Sequence, residues 1–194
     1  MDLADVRIET ARLILRELDP ADTLALAAIE GDPEVVRYLA FNARTPELVR
    51  EKIDEAVRDR KAEFRLSFDL AVVLRETGVL IGRCGFALRR PEHLEAEIWW
   101  VFSPTARGRG FATEAAAAVL DLAFGSLRCH RVYADCDPRN IPSCNVARRL
   151  GMTYEGRMRE NYYLKDEWCD ADIFGLLDRE WRAIRAASKG TSGQ

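Results

Sequence analysis

Ser103-Pro104-Thr105-Ala106-Arg107-Gly108-Arg109-Gly110-Phe111-Ala112 joins two segments of opposite periodicity. On its N-terminal side, Glu95 to Phe102 alternates as a strand does. Ile98, Trp100 and Phe102 fall on one side, and Glu97, Trp99 and Val101 on the other. On its C-terminal side, Ala116, Val119, Leu120, Ala123 and Phe124 follow helical spacing, in a helix beginning near Ala112 and ended by Gly125. A strand, a turn with two glycines and a helix together form an anion site. Glycine lets backbone N–H groups turn outward without a Cβ in the way. The first N–H groups of the helix lack internal partners, and its dipole places partial positive charge at the same end. Such a site suits phosphate, and Arg107 and Arg109 add full charges. The dipole alone contributes only ~0.3–1 kcal/mol at an exposed site, so several donors must act together.

The pattern extends in both directions. Arg12 to Leu18 alternates as a strand, and Asp19-Pro20 opens a helix that stops at Gly31. A second helical region runs from Asp32-Pro33 to Leu39, and a third from Thr45-Pro46 to Arg60. The period then changes to two, with strands at Leu66–Leu74 and Val79–Leu88 about a turn at Glu76-Thr77-Gly78. Beyond the central helix come a strand at Arg131–Cys136, a short helix at Pro142–Leu150, and two strands about Lys165-Asp166-Glu167. This order predicts an α/β (α+β) fold, one mixed sheet covered by helices on both faces. No repeat or linker divides it, so a single domain is expected over 1–187. The Gly/Ser-rich stretch 188–194 reads as a disordered tail.

Composition narrows the function classes. The chain has 194 residues, enough for one domain with a sizeable core, and a net charge of −3 with no basic stripe, which argues against nucleic acid. No apolar run approaches the ~20 residues that span a bilayer, so no membrane partner is expected. Met1-Asp2-Leu3-Ala4-Asp5 is acidic where a signal peptide would be basic, and a cytoplasmic location follows as the expectation. Five cysteines at irregular spacing, without a Cys-x-x-Cys pair, read as free thiols, and with two histidines no metal site is expected.

The glycine-bearing turn is not a nucleotide P-loop, because no Gly-Lys-Ser/Thr follows it. As a dinucleotide fingerprint it offers Gly108 and Gly110, but Thr113 stands in the third glycine's place. By itself it could also be a plain charged turn. Arg107-x-x-Gly110-x-Ala112, however, resembles the Arg/Gln-x-x-Gly-x-Gly/Ala signature of the GNAT (GCN5-related N-acetyltransferase) superfamily, whose loop grips the pyrophosphate of coenzyme A. Four further stretches resemble the ribosomal-protein N-terminal acetyltransferase branch. They are Glu9-Thr10-x-Arg12-Leu13-x-Leu15-Arg16, Ala96-Glu97-Ile98 followed by Pro104, Asn140-x-Pro142-Ser143 with Leu150-Gly151-Met152 and Glu155-Gly156, and Asp170 with Glu180-Trp181. The likeness spans about residues 7 to 183.

The resemblance implies a splayed, mostly antiparallel seven-stranded sheet, with acetyl-CoA as co-substrate lying between the Glu95–Phe102 and Arg131–Cys136 strands. It assigns the pyrophosphate to Arg107, Gly108, Arg109, Gly110, Phe111, Ala112 and Thr113. It assigns the pantetheine arm to the backbone near Phe102, in the manner of an added strand, and to Asn140. It also leaves room for a homodimer.

Acyl transfer from a thioester to an amine needs deprotonation of the ammonium, a donor for the oxyanion, and stabilisation of the departing thiolate. Many relatives carry a tyrosine where this chain has Ala147. Ser143 lies one turn earlier on the same stripe and is the candidate acid, its alternative role being a backbone cap. Glu97 is the candidate base, acting directly or through a water, its alternative being a structural ion pair with an arginine. Glu160 is a second base candidate. Some relatives place an acid two positions further on, where this chain has Tyr162. An acetyl-cysteine route through Cys144 is disfavoured, since no histidine is near in sequence and its position turns away from that of Ser143.

The acceptor is less specified. An α-amine is roughly a tenth free at pH 7 and a lysine amine about once in ~2,500 molecules, a gap of ~3.5 kcal/mol. An enzyme without a strong base therefore serves a protein or peptide N-terminus more easily, with Trp99, Tyr162 and Tyr163 as candidate groove residues. A small amine (amino acid, polyamine or aminoglycoside) and a non-catalytic acyl-CoA sensor are the alternatives.

Overall fold

The structure is a computed structural model that describes Leu3 and residues 5–191. Its strands are β1 (Arg7–Glu9), β2 (Leu13–Glu17), β3 (Ser67–Leu74), β4 (Leu80–Arg90), β5 (Glu95–Phe102), β6 (Arg131–Cys136), β7 (Thr153–Leu164) and β8 (Glu167–Leu177). Its helices are α1 (Thr23–Glu30), α2 (Pro33–Val36), α3 (Pro46–Arg60), α4 (Phe111–Asp121), α5 (Ile141–Arg149) and α6 (Asp178–Thr191). The strands form one sheet in the order β1-β2-β3-β4-β5-β6-β8-β7. Every pairing is antiparallel except β5 with β6.

One expectation is corrected. The sheet has eight strands rather than seven, because Arg7–Glu9 pairs with β2 along Leu15. Of the stretch 188–194 read as a tail, residues 188–191 belong to α6. Residues 192–194, the rest of that expected tail, lie outside the described residues.

Strand alternation sorts the two faces. Leu13, Leu15, Phe68, Leu70, Phe86 and Ile98 point into the main core beneath α4, where Phe111, Ala115 and Val119 meet them. Ala71 points the other way, into a smaller cluster with Leu26 of α1 and Val49 and Ile53 of α3. Asp69, Arg83, Glu97 and Trp99 share that second face by the same alternation. Buried there, Arg83 donates to Glu30 Oε1, and its Nη1 reaches Asp69 Oδ2 at 2.9 Å. Burial alone would lower the Arg83 pKa, but the two carboxylates outweigh it and hold the guanidinium charged.

The parallel pair sets up the site. β5 and β6 are in register only over Glu95↔Arg131, Ala96↔Val132 and Glu97↔Tyr133. Beyond Glu97 the two strands part, and among the described residues the edge of β5 from Ile98 to Phe102 has no strand partner on that side. A clamp closes the apex of the wedge. Arg131 Nε donates to Glu95 Oε2 at 3.1 Å, while Nη1 and Nη2 each reach a Glu155 oxygen at 2.6 Å. The clamp lies flat over β8 because position 175 is glycine. A Cβ there would stand 2.2 Å from Glu155 Oε1 and 2.3 Å from Arg131 Nη1.

Candidate active site

The turn from Arg107 to α4 is built as an anion cradle. Gly108 and Gly110 take φ of 74° and 79°, which β-carbon-bearing residues adopt only at a cost. A Cβ would meet nothing within 4 Å at Gly108 and only Arg12 Nη2, at 3.5 Å, at Gly110. The backbone conformation, rather than lack of space, therefore demands glycine. Gly110 is the N-cap of α4, and among the described residues no side chain caps the helix. The N–H groups of Phe111, Ala112 and Thr113 thus stand at an uncapped helix start.

Residues distant in sequence brace this turn. Glu114, in the first turn of α4, accepts from Thr10 Oγ1 at 2.6 Å and from Arg12 N and Nε at 2.9 and 2.7 Å. Arg12 Nη1 donates to the Arg109 carbonyl at 2.9 Å, and the guanidinium lies over the Phe111 ring. Burial works against the Glu114 charge, but the Thr10 and Arg12 hydrogen bonds prevail and lower its pKa. Arg107 and Arg109 are exposed beside the cradle.

A cavity of about 720 Å³ opens through the wedge between β5 and β6. On the α4–α5 side, Ser143 lines it from α5. Asn140 caps that helix, its Oδ1 accepting from Ser143 N at 3.3 Å. The Ser143 hydroxyl is therefore not used as a cap. It accepts from Trp100 Nε1 at 3.1 Å and lies 3.4 Å from Cys136 Sγ. Asn140 serves as a helix cap and also lines the cavity. Phe102 is buried and paired with Gly82 of β4.

Neither nearby thiol is placed as a nucleophile. Contact with Cys136 lowers the Cys144 pKa, but Cys144 is buried in the main core, does not line the cavity, and directs its Sγ to the Asp137 carbonyl at 3.8 Å. Cys136 lines the cavity, but contact with Cys144 and burial raise its pKa well above the ordinary thiol value.

Carboxylates line the opposite, α1–α3 side. Glu97 borders the cavity, with Oε2 accepting from Arg89 Nε at 2.6 Å, so the ion pair weighed from the sequence is present. Glu160 does not line the cavity and is exposed. It occupies an irregularity between Met158 and Tyr162 at φ 49°, its N–H bonded to Asp170 Oδ1. The structure instead brings Asp135 of β6 to the cavity, hydrogen-bonded by the Tyr162 hydroxyl. Burial raises the Asp135 pKa, the Tyr162 hydrogen bond opposes the rise, and Glu97 adds to it. Sequence reading passed over Asp135. Its only signal was the alternation of Arg131, Tyr133 and Asp135 against apolar Val132 and Ala134. Trp99 and Tyr162 line the cavity, whereas Tyr163 stacks edge-on with Trp168 outside it. Both histidines are exposed and away from the cavity.

The walls meet across the opening. Lys165, at the β7–β8 turn, donates to the carbonyls of Val36, Arg37 and Leu39 at the end of α2. Arg139 bridges Asp137 and Glu167 on the neighbouring rim.

A sequence profile of the acetyltransferase (GNAT) domain matches residues 12–153, which include the cradle, Glu97, Asp135 and Ser143. The chain belongs to the GNAT acetyltransferase family. This GNAT chain is 33% identical over 176 residues to the uncharacterized N-acetyltransferase YnaD of Bacillus subtilis (strain 168), covering 91% of the chain and 99% of that protein. A GNAT-family acetyltransferase structure from Bacillus anthracis superposes with a TM-score of 0.81 at 30% identity, covering 90% of this chain and all of the other. Two more distant relatives are named for different acceptors. The putative ribosomal N-acetyltransferase YdaF of B. subtilis (strain 168) is 26% identical, covering 87% of this chain and 93% of its own. The spermidine N(1)-acetyltransferase of Escherichia coli (strain K12) is 29% identical over 91 residues, 47% of this chain and 49% of its own. GNAT enzymes use acetyl-CoA as co-substrate. The uncapped helix start, the positive-φ glycines and the adjacent arginines fit its diphosphate.

Proposed function

We propose that this GNAT N-acetyltransferase acts on the N-terminal α-amine of a protein or peptide. Coenzyme A would be held by Arg107, Gly108, Arg109, Gly110, Phe111, Ala112 and Thr113 at its diphosphate, and by the free edge of β5 to Phe102 along its pantetheine arm. Asn140 borders that path. Ser143, with its hydroxyl uncommitted to capping and in the first turn of α5, is suited to hydrogen-bond or protonate the departing thiolate. The acceptor would approach from the α1–α3 side, where Glu97 and Trp99 meet the wedge.

The α-amine reading rests above all on the kind of base available. The proton acceptors lining the cavity mouth are carboxylates. Tyr162 and Tyr133 are both pushed upward, by burial first, and so remain protonated donors. Deprotonating a lysine-type amine costs ~3.5 kcal/mol more than an α-amine, and a carboxylate is poorly matched to that task.

A second reading has an observation of its own. Asp59, Asp69, Glu97, Asp135, Asp137 and Asp170 outnumber Lys52, Arg44, Arg83 and Arg89 around the cavity, which favours a cationic acceptor such as a polyamine. The spermidine-acetylating relative agrees with that balance, though it matches under half of this chain. Thiol release from acetyl-CoA, followed with peptides bearing free or blocked N-termini and with spermidine, separates the two. Faster turnover on free N-termini is expected. Turnover confined to spermidine, or to lysines of N-terminally blocked peptides, would overturn the α-amine assignment.

A further inference from the structure

Two carboxylates stand at the mouth of the wedge on the acceptor side, and their surroundings differ. Glu97 is paired with Arg89 at 2.6 Å. Asp135 forms no ion pair among the described residues, and its hydrogen-bond partner is the Tyr162 hydroxyl. The groups that face Asp135 come from three other strands and its own. They are Glu97 of β5, Arg89 of β4, Tyr162 of β7, and Tyr133 two residues before it. On β8 the paired residue is Ile173, which brings no charge. Asp135 also follows the last β6 residue in register with β5, so it sits where the strands begin to part.

We propose that Asp135 is the catalytic base that takes the proton from the acceptor ammonium, and that Tyr162 is the positioning residue that holds its carboxylate toward the wedge. Glu97 contributes a nearby negative charge that its ion pair with Arg89 offsets in part. The proposal rests on the reading of acetyl transfer through the wedge given above. In the step, an ammonium N–H bond breaks as an O–H bond forms on Asp135, leaving a lone pair on nitrogen. That pair forms the C–N bond to the acetyl carbon, and the C–S bond breaks with its electrons left on sulfur. The sulfur takes a proton from solvent, directly or through the Ser143 hydroxyl, which solvent reprotonates; the second nitrogen proton leaves to solvent, and Asp135 releases its proton to water. The carboxylate comes from β6 and the tyrosine hydroxyl that donates to it from β7, on the far side of β8.

The pH dependence of kcat tests this, because it reports groups in the substrate complex. The wild type, Asp135→Asn, Tyr162→Phe and Glu97→Gln are compared, with folding verified by circular dichroism. Asp135→Asn is expected to lower kcat by about 10²-fold or more and to abolish the acid limb. Tyr162→Phe removes a hydrogen bond to the charged carboxylate, which raises the Asp135 pKa and moves the limb to higher pH. Glu97→Gln removes a like charge, which lowers that pKa and moves the limb to lower pH. A purely structural role would reduce kcat without displacing the limb. Should Asp135→Asn fail to fold, the opposite displacements in the other two variants decide. Full kcat in Asp135→Asn, or a limb unmoved in both Tyr162→Phe and Glu97→Gln, overturns the proposal while acetyl transfer stands. Absence of wild-type turnover with every amine defeats the underlying reading, and the proposal with it.

Discussion

A serine in the first turn of a helix commonly spends its hydroxyl on a backbone N–H. In α5 that role belongs to Asn140, and the Ser143 hydroxyl turns to Trp100 and the cavity instead. Ser143→Ala should therefore lower kcat by about 10²-fold with little change in the affinity for CoA, as steady-state kinetics and calorimetry would measure. A variant with full kcat would remove Ser143 from the chemistry. The residue scale is also where the sequence was least legible. Ser143 and Glu97 were found because they sit at motif positions, and both reach the cavity. Glu160 falls outside the cavity, at an irregularity in β7 between Met158 and Tyr162 that breaks the strand alternation. Asp135 was missed because a carboxylate on a short strand gains meaning only when the neighbouring strands are known, and Tyr162 comes from 27 residues away.

At the scale of elements, strand, turn and helix were readable around Gly108 and Gly110, because a change of period at a pair of glycines marks the point where a strand gives way to a helix. The bracing of that turn was not readable. Thr10 and Arg12 were recognised as part of a pattern, but nothing local said that they grip Glu114 and the Arg109 carbonyl. Glu114 has a lowered pKa in the fold, so its contribution to stability is complete above the unfolded value of ~4.3 and fades as pH falls through the lower folded one. Glu114→Gln should be less stable than the wild type at pH 7 in urea unfolding, with the difference closing from about pH 4 downward. A difference independent of pH would mean that the loss is one of packing rather than charge. Two elements escaped the reading for plain reasons. β1 has three residues, too few to show a period, and α6 runs into Gly/Ser-rich sequence whose composition suggested disorder.

Across the whole molecule, the sheet acts as a partition with one opening. Helices α4, α5 and α6 cover the face that carries the cradle and Ser143, and α1, α2 and α3 border the face that carries Glu97, Trp99 and Asp135. In the proposed reaction, donor and acceptor would meet where β5 and β6 separate. The Arg131 clamp on Glu95 and Glu155 fixes the apex of that opening, while Lys165 ties its far rim to the end of α2. The class of fold followed from the order of elements. The division of labour between faces did not, since it depends on which strands become neighbours.

Acetyl transfer through this opening requires that the diphosphate of coenzyme A be gripped by main-chain amides at the start of α4. Calorimetric titration of the purified protein with CoA and, in parallel, with pantetheine measures that grip directly. Two or more charge-assisted hydrogen bonds should make CoA bind on the order of a hundredfold more tightly than pantetheine. Equal affinities for the two, or no heat from CoA at millimolar concentration, would contradict the cradle's assignment.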